Sequence, residues 1–467
     1  MFVRTVHEAS VRLRLTPQER LAAGKKLREK VSRSSHSQWT CPKNRPDPTE
    51  LMKIADRGRL PSLLPIRYRR MSESPFAFFR GSAALMAADL AETSSTGIRV
   101  QACGDCHVAN FGGFGTPERQ LVFDINDFDE TLPAPWEWDV KRLAASIVLA
   151  MRQADFADRQ CQDAARTSAE SYRKRMREYA RMTALEVWYS HLSAEIFVQI
   201  AITPEARQRW RSLIARAALD TPGHEFPKIV SAQQGRPRII DHPPLIYHSS
   251  ENAVVRESVR KIFHQYRATL PEERRIVLDR YKVVDIARKV VGVGSVGTRC
   301  AVALLMAGPH DPLFLQFKEA RASVLEPYAG RSRYANHGER VVTGQRMLQS
   351  ASDVFLGWTG DGQGHNFYFR QLRDMRMKID IERMSKQDWF EYVNLCGWVL
   401  ARAHARTGDP ASIAGYLGKT EAFDEAIAAF AITYANQTER DHSSFLRAIR
   451  AGRVRVRAVT KRRRPPH

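Results

Sequence analysis

The chain has 467 residues, of which 43% are hydrophobic and 27% are charged. This composition allows a sizeable core and excludes disorder over most of the length. No stretch reaches the roughly 18 apolar residues of a membrane span, and residues 1–10 lack the apolar segment of a secretory signal. We therefore expect a cytoplasmic protein with no membrane span, whose six cysteines are reduced.

The chain is strongly basic. Lys and Arg number 73 against 51 Asp and Glu, which gives a net charge of +22. Part of the excess lies in an N-terminal extension (1–60) and in a C-terminal tail (451–467). Basic tails attract polyanions without reading their sequence, and no module that reads DNA or RNA is recognisable. The tails predict a loose contact with nucleic acid or another polyanion.

Residues 61–280 are predicted to form a mostly helical lobe, because apolar residues recur there at helical spacing. Beginning in the extension, helices are expected at Thr16–Lys30, Pro75–Glu92, Trp138–Gln153 and Asp155–Thr183. Short strands are expected at Ile98–Ala102 and Leu121–Ile125, with turns at Gly112-Gly113 and Thr116-Pro117 between them.

The composition changes at Val283, from which β-branched and aromatic residues punctuated by glycines continue to Asp380. This pattern predicts a small antiparallel sheet lobe over 281–380, interrupted by one helix near Glu339–Ser352. Helical spacing returns at Trp389–Arg406 and Ala422–Ala435. We expect residues 381–450 to pack as helices on the helical lobe, so the fold class is α+β with two lobes.

Acidic and amide side chains are concentrated between residues 103 and 130. In Cys103-Gly104-Asp105-Cys106-His107-Val108-Ala109-Asn110, an Asp precedes an Asn by five positions, and the segment Phe123–Glu130 adds Asp124, Asp127, Asp129 and Glu130. A general base needs a carboxylate in reach of its proton, and Mg²⁺ prefers oxygen ligands. The spacing is typical of the base and metal ligands of a phosphotransferase, although a surface turn is the stronger alternative for Asp129 and Glu130.

Two other functions fit part of this loop. Cys103-Gly104-Asp105-Cys106-His107 matches the haem-attachment pattern C-x-x-C-H, but covalent haem attachment needs export. The pair Cys103 and Cys106 could also be redox-active or bind zinc, although no second cysteine pair accompanies it.

A glycine-rich turn follows in the predicted sheet. Gly292-Val293-Gly294-Ser295-Val296-Gly297 fits G-x-G-x-x-G, which is a weak signal alone. Strands, not a helix, are expected next, at Cys300–Met306 and Leu313–Ala320, and the second carries Lys318. A strand, a glycine turn, a strand and a strand lysine form the order found in kinases. Alternatives are a hairpin turn for the glycines and a snorkelling edge lysine for Lys318.

In that arrangement a glutamate on the next helix holds the lysine, and Glu339 opens such a helix. The predicted hairpin of Val354–Trp358 and Asn366–Leu372 then leads into Gln371–Asp374, where we expect a linker that binds adenine. His404 and Asp409 form a further polar cluster after an apolar helix, for which a structural role is the simpler interpretation.

Several motifs make the chain resemble the bacterial family catalogued as domain of unknown function 2252. The motifs that carry the resemblance are Phe76–Gly81, Cys103–Gly112, Phe123–Thr131, Pro135–Leu143, Val291–Thr298, Leu315–Ala320 and Ala401–Gly408. Pro65–Tyr68 with Arg70-Met71, and Arg340–Val342 with Gly344–Arg346, also match. Together these stretches span nearly the whole chain, from about residue 20 to about residue 445.

A more distant resemblance is to aminoglycoside and choline phosphotransferases, whose loop H-G-D-x-H-x-x-N lies over Cys103–Asn110. It implies Asp105 as base and Asn110 as a metal ligand. The following element implies Asp127 as second metal ligand, with Asp124 as a rival by spacing, and Asp139 falls on a position that we interpret as structural. The resemblance implies a protein-kinase-like fold, circularly permuted, because here the sheet lobe follows the acidic loop.

These observations lead to a hypothesis of an ATP-dependent phosphotransferase that uses Mg²⁺ and a small hydroxyl acceptor. Gly292, Gly294, Ser295 and Gly297 would cover the phosphates, and Lys318, positioned by Glu339, would neutralise their charge. Two alternatives remain open. One is a non-catalytic kinase-like module that binds nucleic acid or another polyanion, and the other is a metal-dependent phosphohydrolase.

Overall fold

The computed structural model describes residues 15–233, 236–248, 261–290, 292–372 and 374–457. Much of the predicted basic extension is therefore described, whereas the basic tail is described only as far as Arg457. The architecture is mixed α+β with a small antiparallel sheet, as predicted. Within the described residues, no helix combines the length and the apolar character that crossing a membrane requires.

Helices build most of the chain before the sheet. They are α1 (Pro17–Lys26), α2 (Pro48–Ala55), α3 (Leu64–Met71), α4 (Pro75–Gly81), α5 (Ala83–Ala91), α6 (Trp136–Gln153), α7 (Asp158–Tyr179), α8 (Ala184–Tyr189), α9 (Ile196–Ile200), α10 (Pro204–Leu219) and α11 (Pro222–Ile229). Helical residues 261–268 and α12 (Glu272–Leu278) lead into the sheet. Many begin with a capping residue and a proline in the first turn, as Thr16 and Pro17 do in α1.

Three two-stranded ribbons lie among these helices. β1 (Arg99–Ala102) pairs with β4 (Leu132–Pro135), β2 (Phe111–Gly115) pairs with β3 (Leu121–Ile125), and β5 (Val230–Gln233) pairs with β6 (Arg236–Ile239). The loop after β1 and the loop after β3 therefore emerge side by side. This arrangement brings the two acidic segments together.

The main sheet has six antiparallel strands in the order β11-β12-β10-β9-β8-β7. They are β7 (Ile246–Tyr247), β8 (Lys282–Lys289), β9 (Cys300–Gly308), β10 (Asp311–Ala320), β11 (Gly357–Gly360) and β12 (Asn366–Gln371). The short α13 (Glu326–Ala329) and α14 (His337–Leu348) lie between β10 and β11. The glycine-rich turn connects the neighbouring strands β8 and β9, and Lys318 lies near the end of β10, beside β12.

The last helices pack on the helical lobe. They are α15 (Lys386–Thr407), α16 (Pro410–Leu417) and α17 (Ala422–Arg450), and both α15 and α17 contact α7. The centre of this core is α6, which is buried from Trp136 to Met151 even though it carries charged residues. A charged side chain at such a position needs a partner, because burying an unpaired charge is costly.

Three predicted elements differ from the structure. The helix predicted at Pro75–Glu92 is two helices, which separate at Ser82. Gly112-Gly113 is not a turn but lies in β2, where a Cβ at Gly113 would lie 2.7 Å from the Met377 side chain. The final helix continues to Arg450, and its last turns bury Phe445 and Ala448.

Candidate active site

The loop after β1 holds Asp105. The backbone N–H groups of Cys103 and Gly104 donate hydrogen bonds to Asp139 of α6, at 2.7 and 3.0 Å. Gly104 has a φ of +82°, and a Cβ there would overlap the backbone oxygen of Glu130. A glycine is needed at this position both for its conformation and for the close approach of the second acidic segment.

Asp105 is held by Arg142, a buried residue of α6 whose Nε donates to Asp105 Oδ1 at 2.7 Å. His107 Nε2 lies 4.0 Å from the other oxygen. Burial alone would raise the pKa of Asp105, but Arg142, His107 and Arg80 lower it below the ordinary value. Asp105 is therefore an ionised carboxylate at neutral pH, able to accept a hydrogen bond from a hydroxyl group.

Asn110 ends a 3₁₀ turn in the same loop. Its Nδ2 donates to the backbone oxygen of Asp105 at 2.8 Å. Among the contacts of the described residues, Asn110 Oδ1 accepts no hydrogen bond from the protein. The amide group thus has one end fixed and an oxygen available to a cation.

Across from this loop, Lys318 of β10 contacts Asp129 in an ion pair. The Lys318 side chain is only 3% exposed and that of Asp129 is 24% exposed. Asp129 also accepts hydrogen bonds from Tyr368 at 2.8 Å and from Ser295 at 3.2 Å. Burial lowers the pKa of Lys318, but the carboxylates of Asp127 and Asp129 raise it above its ordinary value. The lysine is therefore charged, and it joins the sheet to the acidic segment.

Asp127 lies beside this pair with few contacts of its own. Among the described residues, its carboxylate accepts one hydrogen bond, from the backbone N–H of Asp129 at 3.2 Å. Burial and the like charge of Asp129 raise the pKa of Asp127, although Lys318 and Arg370 oppose the effect. A carboxylate that is short of donors and close to a second carboxylate favours the approach of a cation.

The glycine-rich turn lies against the acidic loop. A Cβ built on Gly294 would be 4.0 Å from Asp105 Oδ2 and 3.3 Å from the Arg80 backbone oxygen. The carbonyl groups of Val293 and Gly294 accept hydrogen bonds from Arg67, at 2.7 and 2.9 Å. The turn is thus anchored to the helical lobe through its carbonyl groups.

The other two predicted glycines lie on either side of Gly294 in the same turn. Gly292 is exposed with a φ of +58°, and its carbonyl group contacts Arg70. Gly297 is buried with a φ of +93°, and its carbonyl group accepts from the Leu60 N–H at 2.7 Å. Both therefore use the left-handed conformation that glycine permits.

The structure places Asp124 apart from this cluster. It is 1% exposed and paired with Arg402, whose Nη2 donates to both carboxylate oxygens at 2.6 and 2.8 Å. The Ser350 backbone N–H and hydroxyl group also donate to Asp124, both at 2.9 Å. Because both oxygens of Asp124 already accept hydrogen bonds from Arg402, Asp127 is the better candidate for a metal ligand.

Glu339 does not hold Lys318. It lies in the first turn of α14, where its N–H donates to Asn336 Oδ1 at 3.2 Å, and no ion pair joins it to the lysine within the described part of the chain. The next residue, Arg340, is 1% exposed and donates to the backbone oxygens of Asp129 and Thr131 at 2.7 and 2.6 Å. The helix therefore supports the acidic segment through Arg340.

A cavity of about 480 Å³ opens between the sheet and the helical lobe. Its lining includes Phe114 of β2, Asn126 beside Asp127, Arg370 and Gln371 of β12, and Asp374. Gln371 and Asp374, the first and last residues of the predicted linker, thus border a space at the junction of the lobes. Arg370 lines the cavity and also lies close enough to Lys318 to affect its pKa. The cavity therefore adjoins the acidic cluster.

Sequence reasoning overlooked Arg142 as the partner of Asp105, and it favoured a surface turn for Asp129. A signal was present for the first residue. A charged side chain in the interior of the apolar helix α6 requires a buried partner. Tyr368 and Arg370 were also missed, because their positions on β12 alternate with apolar residues as in any strand.

Comparison with known proteins identifies the family of the chain. The family described as "Uncharacterized protein conserved in bacteria (DUF2252)" matches residues 59–448. The chain belongs to this family. The match confirms the first resemblance and covers the acidic loop, the glycine turn and Lys318. No curated protein and no solved structure matches the chain.

Proposed function

We propose that the protein is an ATP-dependent phosphotransferase with a two-lobed, kinase-like fold. One observation carries the proposal. Lys318 and the carboxylates of Asp127 and Asp129 meet at one point, although they lie far apart in sequence, and the glycine-rich turn adjoins Asp105 there. A triphosphate needs cationic groups and backbone donors on one side and metal-binding carboxylates on the other.

The order of elements supports a kinase-like sheet lobe. β8, the glycine-rich turn, β9, the lysine strand β10, a helix and the hairpin of β11 and β12 follow each other as the parts of a kinase do. The acidic loop precedes this lobe, so the proposed fold is circularly permuted. Permutation is tolerated where the ends of a domain lie close together.

The nucleotide would occupy the junction of the lobes. The cavity beside Gln371 and Asp374 would hold the base, and Lys318 would contact the phosphate groups. Lys318 now contacts Asp129, so a phosphate group would share the lysine with that carboxylate. Ser295, a residue of the turn, donates to Asp129 at 3.2 Å, and its hydroxyl group could donate to a phosphate oxygen instead.

The residues present fit a magnesium ion. Asp127 is short of hydrogen-bond donors and Asn110 Oδ1 accepts none from the described residues, and carboxylate and amide oxygens suit Mg²⁺. Asp127, Asn110 and the nucleotide phosphates would hold the ion. When bound, it would neutralise charge on the phosphate oxygens.

Asp105 would act on the acceptor. In the transfer, the acceptor oxygen forms a bond to the γ-phosphorus while the bond from that phosphorus to the bridging oxygen of ADP breaks. The electron pair of the broken bond leaves with ADP, and the hydroxyl proton passes to Asp105. Because Arg142 and His107 keep the pKa of Asp105 low, it is a weak base, and its main contribution would be to orient the hydroxyl group.

Calorimetric titration with ATP in the presence of Mg²⁺ tests the proposal. We expect wild-type protein to bind, and Asp127→Asn and Lys318→Met each to weaken binding at least about tenfold, the effect of losing about 1.4 kcal/mol. Lys53→Met is the matched control, because Lys53 is an exposed lysine whose ion pair among the described residues is with Glu50. Failure of the wild type to bind Mg²⁺-ATP at millimolar concentration would refute the proposal.

Turnover separates the remaining functions. ADP release should depend on an added hydroxyl compound, with aminoglycosides, choline and simple sugars as probes, and Asp105→Asn should lower it by about 10²–10⁴-fold while binding is retained. Binding without turnover for any probe would favour the non-catalytic module. Phosphate release that needs no acceptor and survives Lys318→Met would favour the hydrolase.

A further inference from the structure

A second group of possible metal ligands lies behind the acidic loop. Cys103, Cys106 and Asp139 each direct a ligand atom toward one point, and these atoms lie within 4.8 Å of one another. The three residues are 1%, 0% and 2% exposed. Two thiols and a carboxylate that converge in the interior form a set of donors rather than a solvated surface cluster.

His404 adjoins this group and contacts its carboxylate. It is a fully buried residue of α15, and its Nε2 lies within hydrogen-bond distance, 3.2 Å, of Asp139 Oδ2. The other ring nitrogen of His404 lies 2.9 Å from the Tyr172 hydroxyl group. Carboxylates that bind a metal are themselves held by hydrogen bonds, and His404 makes such a contact with Asp139.

We propose that Cys103, Cys106 and Asp139 bind one Zn²⁺ ion. Cys-x-x-Cys is the spacing by which two thiolates of one loop hold a zinc ion. The sequence lacks a second cysteine pair, and the fold supplies a carboxylate as the third protein ligand. Thiolates select zinc over magnesium or calcium, which prefer oxygen donors.

The charge of the cluster is compatible with an ion. Zinc binding would release one proton from each thiol, so two positive charges leave as a doubly charged ion arrives. The net charge of the buried group is therefore unchanged. The carboxylate is already oriented, since Asp139 accepts hydrogen bonds from the N–H groups of Cys103 and Gly104.

Such an ion would fix the loop that presents Asp105. The two cysteines flank Gly104-Asp105, so a single ion would close a small ring around the candidate base. The proposal rests on the cluster alone and holds whether or not the protein transfers phosphate.

The metal content of the purified, tag-free protein tests the proposal. After growth in zinc-supplemented medium, we expect mass spectrometry of the metals to find about one zinc per chain in the wild type and below about 0.2 in Cys106→Ser. Cys161→Ser is the matched control, because Cys161 is equally buried and lies outside the cluster. It should retain the wild-type zinc content.

A measurement on the wild type alone keeps the test decisive if Cys106→Ser does not fold. Metal-free protein titrated with Co²⁺ should develop thiolate-to-cobalt charge-transfer absorption that added Zn²⁺ abolishes. Wild-type protein without zinc and without this absorption would overturn the proposal. Unchanged zinc content in folded Cys106→Ser, or a disulfide between Cys103 and Cys106 in the isolated protein, would overturn it as well.

Discussion

Replacing Lys318 with methionine removes the ammonium group that contacts Asp129 but keeps most of the volume of the side chain. The lysine is 3% exposed and its partner 24% exposed, so the pair lies largely outside water. Breaking a buried pair costs about 3–5 kcal/mol, because one charge stays buried without its partner. Asp129 keeps the Tyr368 hydrogen bond at 2.8 Å. We therefore expect a loss near the lower end, about 3 kcal/mol of the free energy of unfolding.

Urea unfolding of four proteins measures this energy: the wild type, Lys318→Met, Asp129→Asn and the double variant. Since Asp129→Asn removes the carboxylate that Lys318→Met leaves unpaired, the double variant should be more stable than the sum of the single losses predicts, by about 1.5–3 kcal/mol. Additive losses within about 0.5 kcal/mol would refute the inference that this pair joins the sheet to the acidic segment.

Three further predictions concern stability. Gly104→Ala should lower the free energy of unfolding in urea by about 3–4 kcal/mol, because the new Cβ strains the left-handed backbone and also overlaps a backbone oxygen. Gly97 has a φ of +77° but open space around it, so the control Gly97→Ala should lower the free energy of unfolding by only about 1–2 kcal/mol. Arg402→Leu should lower the free energy of unfolding by about 3–5 kcal/mol, because it leaves the fully buried Asp124 carboxylate without its partner. Arg119→Leu, which breaks an exposed ion pair, should lower it by less than about 1 kcal/mol. Equal losses in the two variants would contradict this prediction. Burial, aided by a neighbouring lysine, lowers the pKa of His36 to about 3. Between about pH 6.5 and about pH 3, the unfolded chain therefore binds a proton at His36 that the folded chain does not bind. Stability should therefore fall as the pH drops, by about 2 kcal/mol at pH 5, and His36→Gln should remove this part of the pH dependence.

Much of the fold followed from local pattern. The antiparallel sheet over 281–380 was predicted because β-branched and aromatic residues alternate with glycine turns, which is a property of neighbouring residues. The acidic loop was likewise predicted from the spacing of its residues, since Asp105 and Asn110 lie in one short loop. Their roles, and those of ATP and Mg²⁺, stay predictions, as does the cytoplasmic location.

The partners of buried charged residues could not be predicted from the sequence. Asp124 and Asp127 are both aspartates beside apolar residues, and only the approach of Arg402 from α15 shows that the first is a structural ion pair. Glu339 was predicted to hold Lys318 by its position on the next helix, whereas the lysine contacts Asp129.

The physical reason is the range of the forces that decide each feature. Strands, helices and turns depend on backbone preferences and on the burial of apolar residues within a short window, so the sequence by itself determined their type. A buried charge is stabilised by whichever opposite charge the folded chain brings within a few ångströms. Only the tertiary structure decided that choice, because the two partners can lie hundreds of residues apart.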